Sequence, residues 1–119
     1  MNRIVAAFAA AALAMPLAAA ASPQSWTLTR AEWAGAGSAS RVLSLPPLRA
    51  AIKALDSHTG ARLAVVHNGG EDGVFWASQL EGWLVSLGVP HKRLVDRAGA
   101  VRAGRLRLEL ETPGTAGPP

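Results

Sequence analysis

Apolar and polar residues alternate in some stretches of the chain, and in others the apolar residues recur every three or four positions. The alternating stretches predict strands. Residues 26–30 alternate apolar and polar, and so do residues 105–111, where the leucines face inward and the charged residues face solvent. One charged face indicates an antiparallel strand near a sheet edge. The segment 62–67, in which residues 63–66 form an unbroken apolar run, predicts instead a central strand with both faces covered or flanked.

Spacings of three and four residues predict two helices. The first carries Leu48, Ile52 and Leu55 and begins after Pro46-Pro47, where proline is tolerated because a first-turn N–H has no helical partner. The second runs from about residue 72 to 87 and ends at Gly88 and Pro90. Its apolar band is expected to pack in the core and comprises Trp76, Ala77, Leu80, Trp83, Leu84 and Leu87.

Two weaker segments complete the predicted order. Val42–Leu45 favours a strand or an extended approach to the prolines, and residues 93–96 favour a short strand. The order is therefore β-(β)-α-β-α-β-β. It predicts an α+β or α/β sandwich, in which a small mixed sheet is covered on one face by two helices.

The first residues have the layout of a secretory signal peptide. Arg3 supplies a positive charge, Ile4–Ala14 is apolar, and Ala18–Ala21 offers small-residue cleavage sites. We therefore expect a periplasmic or secreted protein with no transmembrane span in its mature chain. The predicted divisions are a signal peptide at 1–21, a polar leader with a short strand and a flexible connector at 22–40, an α/β domain at 41–111 and a disordered tail at 112–119.

Composition narrows the chemistry. The chain has no cysteine, so it has neither a disulfide nor a thiolate nucleophile. No G-x-S-x-G, G-x-G-x-x-G, Walker or EF-hand pattern occurs, and the three histidines do not form an HxxxH or HExxH pair. We expect no catalytic residues, no metal site and no cofactor.

Residues 45–94 contain a helix, a strand ending in His67, a glycine loop, a second helix, and the exit Leu87-Gly-Val-Pro-His-Lys-Arg-Leu94. This succession resembles the C-terminal, peptidoglycan-associated domain of outer-membrane protein A-like proteins. The resemblance implies a related fold and a place in the bacterial cell envelope.

The ligand-binding residues of that family are missing from this chain. The family has an acidic residue after the strand-ending His-Thr and an arginine on the next helix that holds a peptidoglycan carboxylate. Here Asn68-Gly69-Gly70 follows His67, and Trp76 takes the place of the arginine. No lysine or arginine occurs between Arg62 and Lys92, so bidentate carboxylate capture is not expected.

The segment from His67 to Gly73 is the candidate ligand- or partner-binding loop. It follows a buried strand and opens a helix, a position where ligands often bind in α/β sheets. Its candidate residues are His67, Asn68, Glu71 and Asp72. The alternative is a tight turn, in which glycines supply backbone freedom and Asp72 or Asn68 caps the helix.

A second candidate is a dense group of cations between residues 92 and 107. It comprises Lys92, Arg93, Arg97, Arg102, Arg105 and Arg107. This basic surface could face an anionic envelope component, or it could be an ordinary solvated surface. Nucleic acid is not an expected partner, because the chain is predicted to be exported and has no aromatic-basic motif.

The sequence thus favours a small exported, non-catalytic α/β module that binds a cell-envelope partner, either a protein or an anionic component. The alternative is a small periplasmic hydrolase or lyase using His67 with Glu71 or Asp72.

Overall fold

The computed structural model describes residues 24–112. The predictions for the signal peptide at 1–21 and for most of the tail, 113–119, lie outside these residues. The strands are β1 (Ser25–Thr29), β2 (Arg62–His67), β3 (Leu94–Ala98) and β4 (Arg105–Glu111). The helices are α1 (Arg30–Ala34), α2 (Ala39–Ser44), α3 (Pro46–Ser57) and α4 (Glu71–Ser86), and a 3-10 turn (His91–Arg93) leads into β3.

The four strands form one mixed sheet in the order β1-β4-β2-β3. Strands β2 and β3 are parallel, whereas β4 is antiparallel to both β1 and β2. The predicted fold class, a small mixed sheet with helices on one face, is confirmed. Strand β4 is antiparallel, as predicted, and lies one strand in from the edge, between β1 and β2, while the edges are β1 and β3.

A single hydrophobic core lies between the helices and one face of the sheet. The sheet contributes inward-facing residues from β1, β2 and β4, including Leu28, Val65 and Leu108, all fully buried. Helices α2, α3 and α4 cover them. Their buried residues are Val42, Leu48, Ala51, Leu55, Trp76, Ala77, Leu80 and Leu84. Trp83 and Leu87, also expected in the core, pack only against its rim.

The opposite face of the sheet is covered by charged side chains rather than by a helix. Arg97 on β3 pairs with Glu111 on β4, and its Nη1 lies 3.9 Å from Glu109 Oε1. Between these strands, Ala64 and Val66 on β2 are short enough to lie under the ion pairs and are fully buried. The glutamates of β4 therefore pair with Arg97 across the sheet, and Arg107 pairs with Glu109 along β4 itself, which explains how a strand with one charged face can occupy an interior position.

The segment before residue 41 belongs to the domain. Strand β1 pairs with β4 along its whole length, so the predicted domain start at 41 is too late. Helix α1 begins with a capping box, in which the Thr29 side chain accepts from the Glu32 backbone and the Glu32 side chain accepts from the Thr29 backbone.

Residues 42–45, for which we expected a strand or an extended approach to the prolines, lie mostly in helix α2. The Ser38 side chain accepts from the Arg41 N–H at the start of this helix, and Val42 points into the core. Three aliphatic residues in four positions fit both the helical period and the strand period. The cap at Ser38 and the burial of Val42 favour the helix.

No helix among residues 24–112 is both long enough and apolar enough to cross a membrane.

Candidate functional site

The candidate loop lies at one end of the sheet, which we call the loop end. Strands β1, β2 and β3 run in the same direction and all finish there, where β4 begins. The loop end comprises Arg30, the loop and first helical turn of residues 68–72, and the connection of residues 99–105. Crevices at the carboxyl ends of neighbouring strands are common ligand sites in α/β sheets.

His67 is buried and hydrogen-bonded through both ring nitrogens. Its Nε2 lies 2.8 Å from Asp96 Oδ1 on β3, and the Gly69 N–H donates to its Nδ1 over 3.1 Å. Because Nδ1 accepts, we assign the proton to Nε2, which donates it to Asp96. The side chain is only 5% exposed. Neither nitrogen is free to accept a substrate proton or to bind a metal ion.

A second carboxyl group, Glu81 on α4, faces this pair. Burial, together with the Asp96 carboxylate as hydrogen-bond partner and as a negative charge, raises the pKa of Glu81 to about 8. Burial would also raise the pKa of Asp96, but hydrogen bonds from Glu81 and His67 lower it below 3.8. At neutral pH the cluster therefore contains a protonated Glu81 and an ionised Asp96.

Asn68 shapes the turn between β2 and α4. Its Oδ1 accepts from the Gly70 N–H over 2.9 Å, and a Cβ at Gly73 would lie 2.5 Å from the same oxygen. Gly70 is the N-cap residue, and the helix has no side-chain cap, so the predicted capping by Asp72 or Asn68 is wrong. The amide of Asn68 closes the turn instead.

The acidic residues predicted to act with His67 do not contact it. Glu71 is exposed in the first turn of α4, and Asp72 pairs with Arg30. The His67 ring is bonded to Asp96 on β3, so the pairing required by the hydrolase or lyase alternative is not formed.

Arg30 is a residue of this end that sequence reasoning missed. Its guanidinium lies 4.4 Å from the centroid of the Trp76 ring and pairs with Asp72, which is 42 residues away in sequence. The sequence has no lysine or arginine between Arg62 and Lys92, but Arg30, from an earlier part of the chain, reaches the first turns of α4. Its charge is already neutralised by Asp72 and its face is stacked on Trp76.

The structure divides the predicted basic surface into three parts. Arg93 donates to the carbonyl oxygens of Leu55, His58 and Ala61 at 2.9 Å, which completes the end of α3. Arg97 and Arg107 are paired with glutamates on the open face of the sheet.

The remaining three cations are exposed and have no ion-pair partner within residues 24–112. Arg102 and Arg105 lie at the loop end, whereas Lys92 precedes β3 at the opposite end of the sheet. The prediction of one continuous basic surface is therefore wrong. Strands β3 and β4 run in opposite directions, so cations that are near each other in the sequence lie at opposite ends of the sheet.

In the part of the chain that the structure describes, no group of three or more His, Asp or Glu side chains is arranged to hold a metal ion. Comparison with protein-family models, curated proteins and solved structures finds no match to this chain.

Proposed function

We propose that this chain is a small exported, non-catalytic α/β module that binds a partner in the bacterial cell envelope. The observation that carries the non-catalytic part is the hydrogen bonding of His67. Its two ring nitrogens are taken by Asp96 and by the Gly69 N–H, and its side chain is almost fully buried. A general acid or base must reach a substrate proton, and this imidazole is oriented for a structural role.

The export part rests on the order of charge, apolar run and small residues within Met1–Ala21. The resemblance to the outer-membrane protein A-like domain supports the same compartment and remains part of this proposal. In this chain, the region of residues 45–94 that carries the resemblance contains helix α3, strand β2, the Asn68–Gly70 turn, helix α4 and the start of strand β3, in that order.

The loop end is the surface proposed to contact the partner. Arg102 and Arg105 are exposed there without ion-pair partners in the described chain, next to the turn that begins α4. Unpaired guanidinium groups at the ends of the strands favour an anionic group, such as a lipid phosphate or a carboxylate of a protein or glycan.

The test compares two charge-reversed variants on opposite ends of the sheet. The full sequence is expressed in a Gram-negative host, the periplasmic fraction is collected, and intact mass shows whether the first 20–22 residues are removed. The purified protein is then mixed with detergent-solubilised envelope, and captured partners are identified by mass spectrometry. Arg102→Glu with Arg105→Glu should abolish capture, whereas Arg62→Glu with Lys92→Glu is the control at the other end.

Retention of Met1 in the periplasmic protein would refute export with cleavage. Equal capture by both double variants would refute the loop end as the binding surface. Hydrolysis of a substrate that depends on His67 would refute the non-catalytic assignment.

A further inference from the structure

The outward face of α4 is apolar or uncharged over most of its length. Phe75 is 62% exposed, Val74 45% and Val85 41%. The other outward positions between residues 74 and 86 are Ser78, Gln79, Gly82 and Ser86. Glu81 is the one charged residue in this stretch, and it faces Asp96 rather than solvent. An aromatic and aliphatic face without charges is typical of the centre of a protein interface.

This face carries both a projecting side chain and a depression. Phe75 projects near the start of the helix, and seven residues later Gly82 has no atom within 4 Å of the position where its Cβ would be. Gly82 lies in a shallow groove of about 390 Å³ that is also lined by Gln79, Trp83 and Ser86. Seven residues are two helical turns, so the projection and the depression lie on the same face, about 10 Å apart along the axis.

We propose that α4 packs antiparallel against α4 of a second copy of this chain, around a two-fold axis between Ser78 and Gln79. Phe75 then lies over Gly82 of the second copy, and by symmetry Gly82 receives Phe75 of that copy. The same register brings Val74 beside Val85 of the second copy, because the two exposed valines lie on the same side of the line from Phe75 to Gly82. The 16 residues of each helix overlap completely, over about 24 Å.

The chemistry of the helix favours a second copy over a membrane surface. Helices that lie in a membrane interface are rich in lysine and arginine on their polar face, and α4 has neither between Glu71 and Ser86. Its first turn carries Glu71 and Asp72, which anionic lipids would repel. One helix pair makes an interface at the small end of the range, so we expect a dimer that dissociates on dilution.

Sedimentation equilibrium over a wide concentration range tests the dimer with protein expressed from the full sequence. Phe75→Lys and Gly82→Glu should each raise the dissociation constant about tenfold or more. Leu43→Lys, at a 40% exposed hydrophobic position on α2, is the matched control and should leave the dimer unchanged. Circular dichroism confirms that each variant is folded.

A mixture of the two variants distinguishes this register from any other use of the face. The introduced lysine of one chain meets the introduced glutamate of the other only in the mixed pair, so Phe75→Lys combined with Gly82→Glu should restore association as a heterodimer. Because the natural chain has no cysteine, a single Gln79→Cys near the axis should form an intermolecular disulfide on oxidation, whereas Ser57→Cys should not.

A monomer at all concentrations overturns the proposal. So does a dimer that both variants leave intact, or an association confined to chains that retain residues 1–21. Co-sedimentation of the monomer with phosphatidylglycerol vesicles that is lost in Phe75→Lys would assign the face to lipid and would also overturn it.

Discussion

At the scale of single residues, His67 is a buried structural residue. His67→Ala removes the partner of Asp96 and the acceptor of the Gly69 N–H, and it leaves a cavity, so we expect a loss of about 2–4 kcal/mol in the free energy of unfolding. His91→Ala, at an exposed position, should change it by less than about 0.5 kcal/mol. Urea unfolding measures both variants, and equal stability of the two would contradict the role given to His67.

The tryptophans of α4 should differ in the same measurement. Trp76 is 1% exposed, so Trp76→Ala should cost about 3–5 kcal/mol. Trp83 packs on the rim of the core and lines the surface groove, so Trp83→Ala should cost about 1–2 kcal/mol. A larger loss for Trp83 would contradict the burial of the two side chains.

The Glu81 cluster predicts a dependence of stability on pH. The pKa of Glu81 is about 8 in the folded protein, whereas its ordinary value, which applies to the unfolded chain, is 4.5. Between pH 4.5 and pH 8, Glu81 is therefore protonated in the folded state and ionised in the unfolded state. Stability from Glu81 is complete below pH 4.5 and is lost as the pH rises through 8. Asp96, whose pKa is lowered, contributes above 3.8 and ceases to do so in stronger acid.

Glu81→Gln isolates this effect, because the amide keeps a donor for Asp96 but does not titrate. Urea unfolding between about pH 5 and about pH 9 should show a decline in stability for the natural protein and a flatter profile for the variant. Glu71→Gln, an exposed change on the same helix, should reproduce the natural profile. An unchanged slope in Glu81→Gln would refute the protonated state of Glu81.

At the scale of elements, Arg93 joins the start of β3 to the end of α3. Arg93→Ala removes the donor to three carbonyl oxygens and should lower the free energy of unfolding by about 1–3 kcal/mol. It should also speed amide hydrogen exchange in the last turn of α3. Lys92→Ala, the exposed neighbour, is the control. Equal effects of the two substitutions would show that Arg93 acts only as surface charge.

The elements themselves were largely predictable. Residues 105–111 alternate strictly, and β4 has those bounds. The spacing of Trp76, Leu80, Trp83 and Leu87 predicted α4, although of these four only Trp76 and Leu80 are buried. The signal for α1 was also in the sequence, since Thr29 and Glu32 form the T-x-x-E pattern of a capping box. Residues 42–45 were ambiguous because three aliphatic residues in four positions suit either period.

At the scale of the whole molecule, the turn and first helical turns of residues 68–76 should not bind muropeptides by a carboxylate clamp. The cation that reaches this segment, Arg30, is paired with Asp72 and stacked on Trp76. Titration with diaminopimelate-containing muropeptides should leave the amide NMR signals of residues 68–76 unshifted. Arg30→Ala serves as a comparison, and saturable shifts in the natural protein that vanish in this variant would contradict the prediction.

What the sequence by itself determined was local: the spacing of apolar residues specified most elements and which side of each is buried, because strand and helix periods are set by backbone geometry. The neighbours of those elements were decided only by the tertiary structure. Asp96 lies 29 residues from His67, and Arg30 lies 42 from Asp72. Such pairs depend on strand order and direction, which also carried Lys92 and Arg105 to opposite ends of the sheet. Local spacing contains no information on that order, so the partners of His67 and the division of the basic residues emerged only on folding.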